Sequence, residues 1–219
     1  MKYLSFFILL FIGELSVNAQ HMFSRQFPFF NQLSSNEIFS IHQDREGYFW
    51  IGTTNGLARY DGYQLNTFRT DYKNQNLLTD NGITAINDND LYVWIGTWKG
   101  LNLYNKKTCR ITPFSDARLL NKVVDAITVD KDGNVWVSAG GMIYRCDSTA
   151  HIIKEYEVGN IQEGYAISNI YVDQQKQLWA VGSRGIFRYE PETDSFFRYP
   201  PLGNGHTAYI MLSLIHISE

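Results

Sequence analysis

Cysteine and proline are scarce, neither sign of charge is in excess, and no apolar run is long enough to anchor the chain in a membrane. Two cysteines in 219 residues exclude the disulfide framework that staples small secreted domains. Cys146 takes a strand position that other segments give to Tyr60 and Tyr104, and Cys109 falls in the outer strand of the segment before it. Both read as small core fillers, not as a bridge. Net charge is −3, from 19 basic and 22 acidic residues. No basic stripe is present, so nucleic acid has no electrostatic footprint to bind, and mild acidity argues against anionic membranes. Five prolines beside 44% hydrophobic and 15% aromatic residues fit a folded all-β module with an ample core.

The residues that carry chemistry are equally sparse. His21 and His216 lie near the ends, and His42, His151 and His206 fall at unrelated positions without metal-ligand spacing. The Asp-x-x-Gly stretches Asp44 to Gly47 and Asp130 to Gly133 lack the closing glutamate of a twelve-residue calcium loop and read as hairpin turns. The Gly-Thr-x-x-Gly pieces join strand to strand and open no helix, which excludes a phosphate loop. No catalytic constellation, metal site or cofactor is expected.

What the chain does have is a repeat. Counting from Trp50, Gly56 lies six residues on, Leu57 seven, Arg59 nine, Tyr60 ten and Asp61 eleven. The frame recurs at Trp94 with Gly100, Leu101 and Tyr104, and at Trp179 with Gly185, Ile186, Arg188 and Tyr189. A weaker copy at Trp136 has Met142 in the glycine slot. The tryptophans are 44, 42 and 43 residues apart, and a fixed period of that size means stacked supersecondary units.

Each unit reads as a four-stranded antiparallel sheet. In the first, strands are predicted at Ile38 to Gln43, Tyr48 to Thr53, Leu57 to Asp61 and Gln64 to Arg69, with tight turns between them. Such a sheet cannot bury both faces alone, and packing successive sheets around an axis does so. The prediction is an all-β β-propeller of about four four-stranded blades forming a partial, open ring; a solenoid of β-arches is the competing architecture. The recurring indole fills the gap between blades and needs an acceptor for its N–H.

Residues 1–19 have Lys2, an apolar run from Leu4 to Ile12 and the small residues Val17 to Ala19. That is the pattern of a secretory signal peptide cut after Ala19, which places the mature chain in the periplasm or outside the cell. The propeller is expected over 22–205, with repeats at about 38–70, 83–115, 124–158 and 167–200. Phe23 to Phe27 falls where an outermost strand would lie. Residues 206–219 read either as the first strand of a fifth blade or, because Leu212 to Glu219 looks like translated adapter DNA, as an artificial end.

The phrase from Ile41 to Thr53, IHQDREGYFWIGT, followed by Gly56 to Gly62, GLARYDG, closely resembles the two-component regulator propeller repeat. The copy at Trp94 is similar; those at Trp136 and Trp179 are more degenerate. The resemblance covers about residues 22–205. It implies a piece of the periplasmic sensor half of a hybrid two-component system, without histidine kinase activity of its own. The implied ligand is an oligosaccharide released during polysaccharide breakdown, and the implied partners are the rest of the sensor and a second copy of it. Nucleic acid and membrane contact by this segment are not implied. Two other readings stand beside it: a secreted propeller enzyme similar to streptogramin lyases, and a structural propeller.

In propellers the turns between second and third strands share a rim with the linkers between blades, and ligands commonly lie there. Those turns are Thr54-Asn55, Trp98-Lys99, Ala139-Gly140 and Ser183-Arg184. Trp98 is the only tryptophan outside the repeated frame. Its indole with Asn55, Lys99 and Arg184 suits an uncharged or acidic oligosaccharide, the indole taking a C–H face and the others the hydroxyls. The bland alternative is that Trp98 covers an adjacent loop.

Overall fold

The computed structural model describes residues 29–70, 77–158, 167–183 and 185–199. The expected leader (1–19), the strand at Phe23 to Phe27, the segment 206–219 and Arg184 lie outside them. Among the described residues, sixteen strands form four antiparallel sheets. The first contains β1 (Ile38–Gln43), β2 (Phe49–Thr53), β3 (Gly56–Tyr60) and β4 (Leu65–Phe68) in that order. The second contains β5 (Ile83–Asp88), β6 (Tyr92–Thr97), β7 (Gly100–Asn105) and β8 (Arg110–Pro113). The third contains β9 (Val124–Val129), β10 (Val135–Ala139), β11 (Met142–Cys146) and β12 (Ile152–Glu157). The fourth contains β13 (Ile167–Val172), β14 (Leu178–Gly182), β15 (Gly185–Glu190) and β16 (Ser195–Arg198).

These sheets are propeller blades. Their inner strands β1, β5, β9 and β13 lie against one another in sequence, and the second strand of each of the first three blades packs on the inner strand of the next. That approach is close enough to dictate residue size. A Cβ on Gly52 would come within 2.7 Å of Ile83 Cγ2, and one on Gly96 within 2.6 Å of Val124 Cγ1. Blade three has Ser138 there, whose hydroxyl donates to Ile167 O at 3.0 Å.

The tryptophans fill the seams. Trp50, Trp94 and Trp136 are fully buried. Trp50 stacks on Phe68 of its own blade and meets Tyr104 of the next edge-on, with centroids 4.8 Å apart; Trp136 lies tilted against Tyr156 of its own blade and meets Tyr189 of the next edge-on. Trp179, in the last described blade, is only half-buried, against Tyr199.

Three of the four indoles find the acceptor they need in the aspartate six residues earlier. Trp50 Nε1 donates to Asp44, Trp136 to Asp130 and Trp179 to Asp173, at 2.7, 2.8 and 2.8 Å. The other oxygen of Asp44 accepts from Glu46 N and Tyr48 N and shapes the turn, with Gly47 and Gly133 at φ of 92° and 81°. The Asp-x-x-Gly stretches are therefore hairpin turns that also anchor a core side chain.

Blade two departs from this. Trp94 pairs with Asn87, whereas Trp50 pairs with His42, so its first hairpin is one residue shorter. Asn89 takes over the turn, its Oδ1 accepting from Leu91 N and Tyr92 N. Its other terminus is an amide that donates to Ser148 O and cannot accept. Trp94 Nε1 is left buried without a partner.

One core assignment is corrected. Cys109 is exposed, at φ 55° in the turn before β8, where its N–H closes the turn onto Asn105 O at 2.8 Å. Cys146 is the buried one, and burial pushes its thiol up to about 12, which leaves it unreactive. Both thiols are free.

Candidate functional site

The rim forms because, in blades one to three, the turn between second and third strands is pinned to the linker of its own blade. Thr54 N donates to Glu37 O at 3.2 Å, Trp98 N to Gly82 O at 3.1 Å and Gly140 N to Val123 O at 3.3 Å. The blade-one turn also reaches the linker into blade two, through Gly56 N to Asn81 O at 2.7 Å. Residues 79–82 are thus the spine of the rim between these blades. Asn102 holds Thr79 by two hydrogen bonds of 3.0 and 2.8 Å. Asp80 accepts from Gly82 N at 2.8 Å and pairs with Lys99 Nζ at 3.0 Å.

Trp98 lies on this spine. Its six-membered ring presses against Gly82, where a Cβ would meet ring atoms at 2.4 to 2.8 Å. Only glycine lets the indole settle there. Phe39 flanks it, with centroids 6.1 Å apart, and Trp98 remains 44% exposed. The indole does cover the linker, and it also presents open surface.

The other rim residues fare differently. Lys99 shares the Trp98 turn and is tied to Asp80. Asn55 sits on the blade-one turn with its amide committed: Nδ2 donates to Ser34 O at 3.2 Å and Oδ1 accepts from Arg69. Among the described residues no hydrogen bond joins Asn55 to Trp98 or Lys99. Arg184 falls outside the described residues.

A feature that sequence reasoning missed is a β-bulge at one position of all four inner strands. The register shifts between Ile38 and Ser40, Ile83 and Ala85, Val124 and Ala126, and Ile167 and Asn169. The bulged residues are Phe39, Thr84, Asp125 and Ser168, at the strand ends nearest the rim. Thr84 and Ser168 turn their hydroxyls onto Val124 O and Val181 O, while Phe39 stays exposed beside Trp98. Asp125 is open to solvent, yet the crowding of protein around it thins its hydration and pushes its carboxyl up to about 6. The signal was present: apolar pairs three apart, Ile38/Ile41, Ile83/Ile86, Val124/Ile127 and Ile167/Ile170, cannot share a sheet face unless one residue bulges.

At the opposite end, the shortened hairpin places Asp88 in the seam between blades one and two. Its carboxylate accepts from His42 Nε2 and Lys106 Nζ, both at 2.7 Å, and from Arg45 N at 3.3 Å. Lys106 and Asp88 are only 6% and 5% exposed. Burial would raise the Asp88 pKa, but these three donors outweigh it and hold the group at about 2. Among the described residues no group of three or more His, Cys, Asp and Glu could hold a metal ion, and no helix is long and apolar enough to cross a membrane.

Residues 32–55 and 118–141 match the family model described as two component regulator propeller. Each matched segment runs from the linker through the first two strands into the rim turn. The copies matched are those at Trp50 and Trp136, not the one at Trp94 that looks stronger by its later residues. The Trp136 copy keeps the full Asp130–Gly133 turn, and its irregular Met142 lies just beyond the match.

No curated protein matches the chain. Among solved structures, the chain is similar to the extracellular domain assigned to hybrid two component system BT4673 of B. thetaiotaomicron (TM-score 0.62, 22% identity, 78% of this chain and 23% of that one). The corresponding domain of BT3049 from the same organism gives TM-score 0.64 at 21% identity over 80% and 24%. Virginiamycin B lyase from Staphylococcus aureus gives 0.61 at 18% over 77% and 57%. The chain spans about a quarter of the length of the two sensor domains. At these identities the likeness establishes the fold, which serves sensors and enzymes alike.

Proposed function

We propose that this chain is part of the extracytoplasmic sensor of a two-component system and receives an oligosaccharide on the rim around Trp98. The observation that carries the reading is the seat of that indole. A propeller turn does not need tryptophan, since Thr54 and Gly140 hold the same position with the same backbone bond. Here the indole is pressed on Gly82 and flanked by Phe39, with its remaining surface open. A fixed aromatic face loses little entropy on binding. Lys99, held by Asp80, places a donor beside it for hydroxyls or an acidic sugar. Asn55 shapes the blade-one turn and contributes to the site only through it. The leader-like residues 1–19 and the repeats' family support delivery across the inner membrane, and signalling would be executed by kinase domains outside this segment.

Titration calorimetry of the whole chain against a panel of plant and host oligosaccharides tests this. At least one glycan is expected to bind, and Trp98→Ala should weaken it by about tenfold or more, the scale of one lost aromatic contact. Unchanged affinity in Trp98→Ala would remove the rim site while leaving the fold intact.

A further inference from the structure

The first and third seams follow one plan, and the differences between them leave an opening. In the first seam the Arg59 guanidinium lies over Trp50, is roofed by Tyr48 at 4.8 Å, and donates to Tyr104 OH at 2.5 Å. Beside it, Lys106 fills the seam mouth between Glu46 and Asp88. The third seam repeats the floor: Arg145 lies over Trp136 at 5.4 Å, beside Tyr189. Its roof is missing. Asn134 stands where the frame has Tyr48, and its amide is drawn aside to Asp130 Oδ2 at 2.9 Å. Pro191 stands where the frame has Lys106 and has no group to send across. Val172, which pairs in the register of Asp88, brings no charge.

The result is a cleft of about 430 Å³ between blades three and four, over Arg145. That is within the usual size range of small-molecule sites. Two of its three carboxylates are already engaged by other groups. Asp130 is saturated by Asp132 N, Asn134 N, the Asn134 amide and Trp136 Nε1. Asp194 is saturated by Lys154, Tyr156 and Tyr189, at 2.6, 2.5 and 2.7 Å. What remains at the mouth is Lys131, Lys176 and one uncommitted carboxylate, Asp132, over Arg145, whose side chain is engaged by Tyr156.

We propose that this cleft, at the end of the blades opposite the rim, is a second binding site, for a small hydroxy-carboxylate. The ligand's carboxylate meets the two lysine ammonium groups at the mouth, above the positive charge of Arg145, and a hydroxyl donates to Asp132. Arg59 has the same place in the first seam, but Tyr48 covers it. The absent roof makes the third seam a site and the first a closed joint.

The test is calorimetry with D-glucuronate, with D-glucose and sulfate as controls. Glucuronate is expected to bind the parent, and the double variant Lys131→Glu/Lys176→Glu to weaken it by about tenfold or more. Asn134→Tyr, which rebuilds the blade-one roof, should abolish binding without lowering the melting temperature. Trp98→Ala should leave glucuronate binding unchanged, which separates this site from the rim. Glucuronate binding that survives both sets of cleft substitutions, or no binding to the parent, overturns the proposal. Sulfate binding as tightly as glucuronate would also overturn it, as an adventitious ion only.

Discussion

Each seam tryptophan carries a polar obligation that its neighbours discharge or leave open. Trp50 and Trp94 are equally buried, but Trp50 donates to Asp44 whereas Trp94 donates to nothing. Truncating either to alanine should cost about 3–5 kcal/mol, because the seam cannot collapse around so large a void. The Trp→Phe changes should separate them. Trp50→Phe strips Asp44 of a buried donor and should cost about 1–2 kcal/mol more than Trp94→Phe; urea melts of the two variants check this, and equal losses would refute it. Asp88 makes a second residue-scale prediction. Its folded pKa of about 2 lies below the ordinary 3.8, so its contribution is complete above pH 4 and disappears as pH falls toward 2. Lys106→Met removes one of the donors that hold it down. The variant should lose about 3 kcal/mol at neutral pH, and its acid-induced loss should begin at higher pH than in the parent. A pH series of denaturant melts would show both.

At the scale of elements, the frame counted from the tryptophans was enough to read four-stranded units and their turns. The first strand, Ile38–Gln43, falls where predicted, and β2, β3 and β4 end within a residue of the expected limits. What was not legible was the length of a single hairpin. Asp88 aligns with Asp44 by counting, yet its strand pairing puts it one position earlier, and pairing is a three-dimensional property that spacing does not carry. The same holds for Phe39, whose place beside Trp98 depends on a bulge. Trp98 itself was visible as an indole outside the frame, but the glycine beneath it gains meaning only once the linker is seen under the ring. Gly52 offers an element-scale test. Gly52→Val would drive branched carbon into Ile83, already 2.7 Å from a bare Cβ. It should destabilise the first seam by about 1–3 kcal/mol, measured in urea, with no effect if the blades are not so closely stacked.

At the largest scale, the blades of the described residues form an open array, with no sheet closed on itself. Blade one shows the consequence. Ile83, Ile86 and Val93 are buried in the seam with blade one, whereas their counterparts Ile38, Ile41 and Phe49 are exposed, Ile41 to 63%. An apolar sheet face of this kind promotes association. The chain should therefore self-associate with concentration in light scattering, and Ile41→Lys should reduce it; an ideal monomer at all concentrations would mean that this face is covered.

The central functional claim is that the open surface of Trp98 receives the ligand. The most direct measurement is acrylamide quenching of tryptophan fluorescence with and without the tightest-binding oligosaccharide from the calorimetric panel. Trp50, Trp94 and Trp136 are buried and Trp179 is half-buried, so Trp98 dominates the quenchable signal. The account predicts that the glycan protects the parent from quenching and that Trp98→Phe loses that protection. Saturating glycan that leaves the parent as quenchable as before would contradict it.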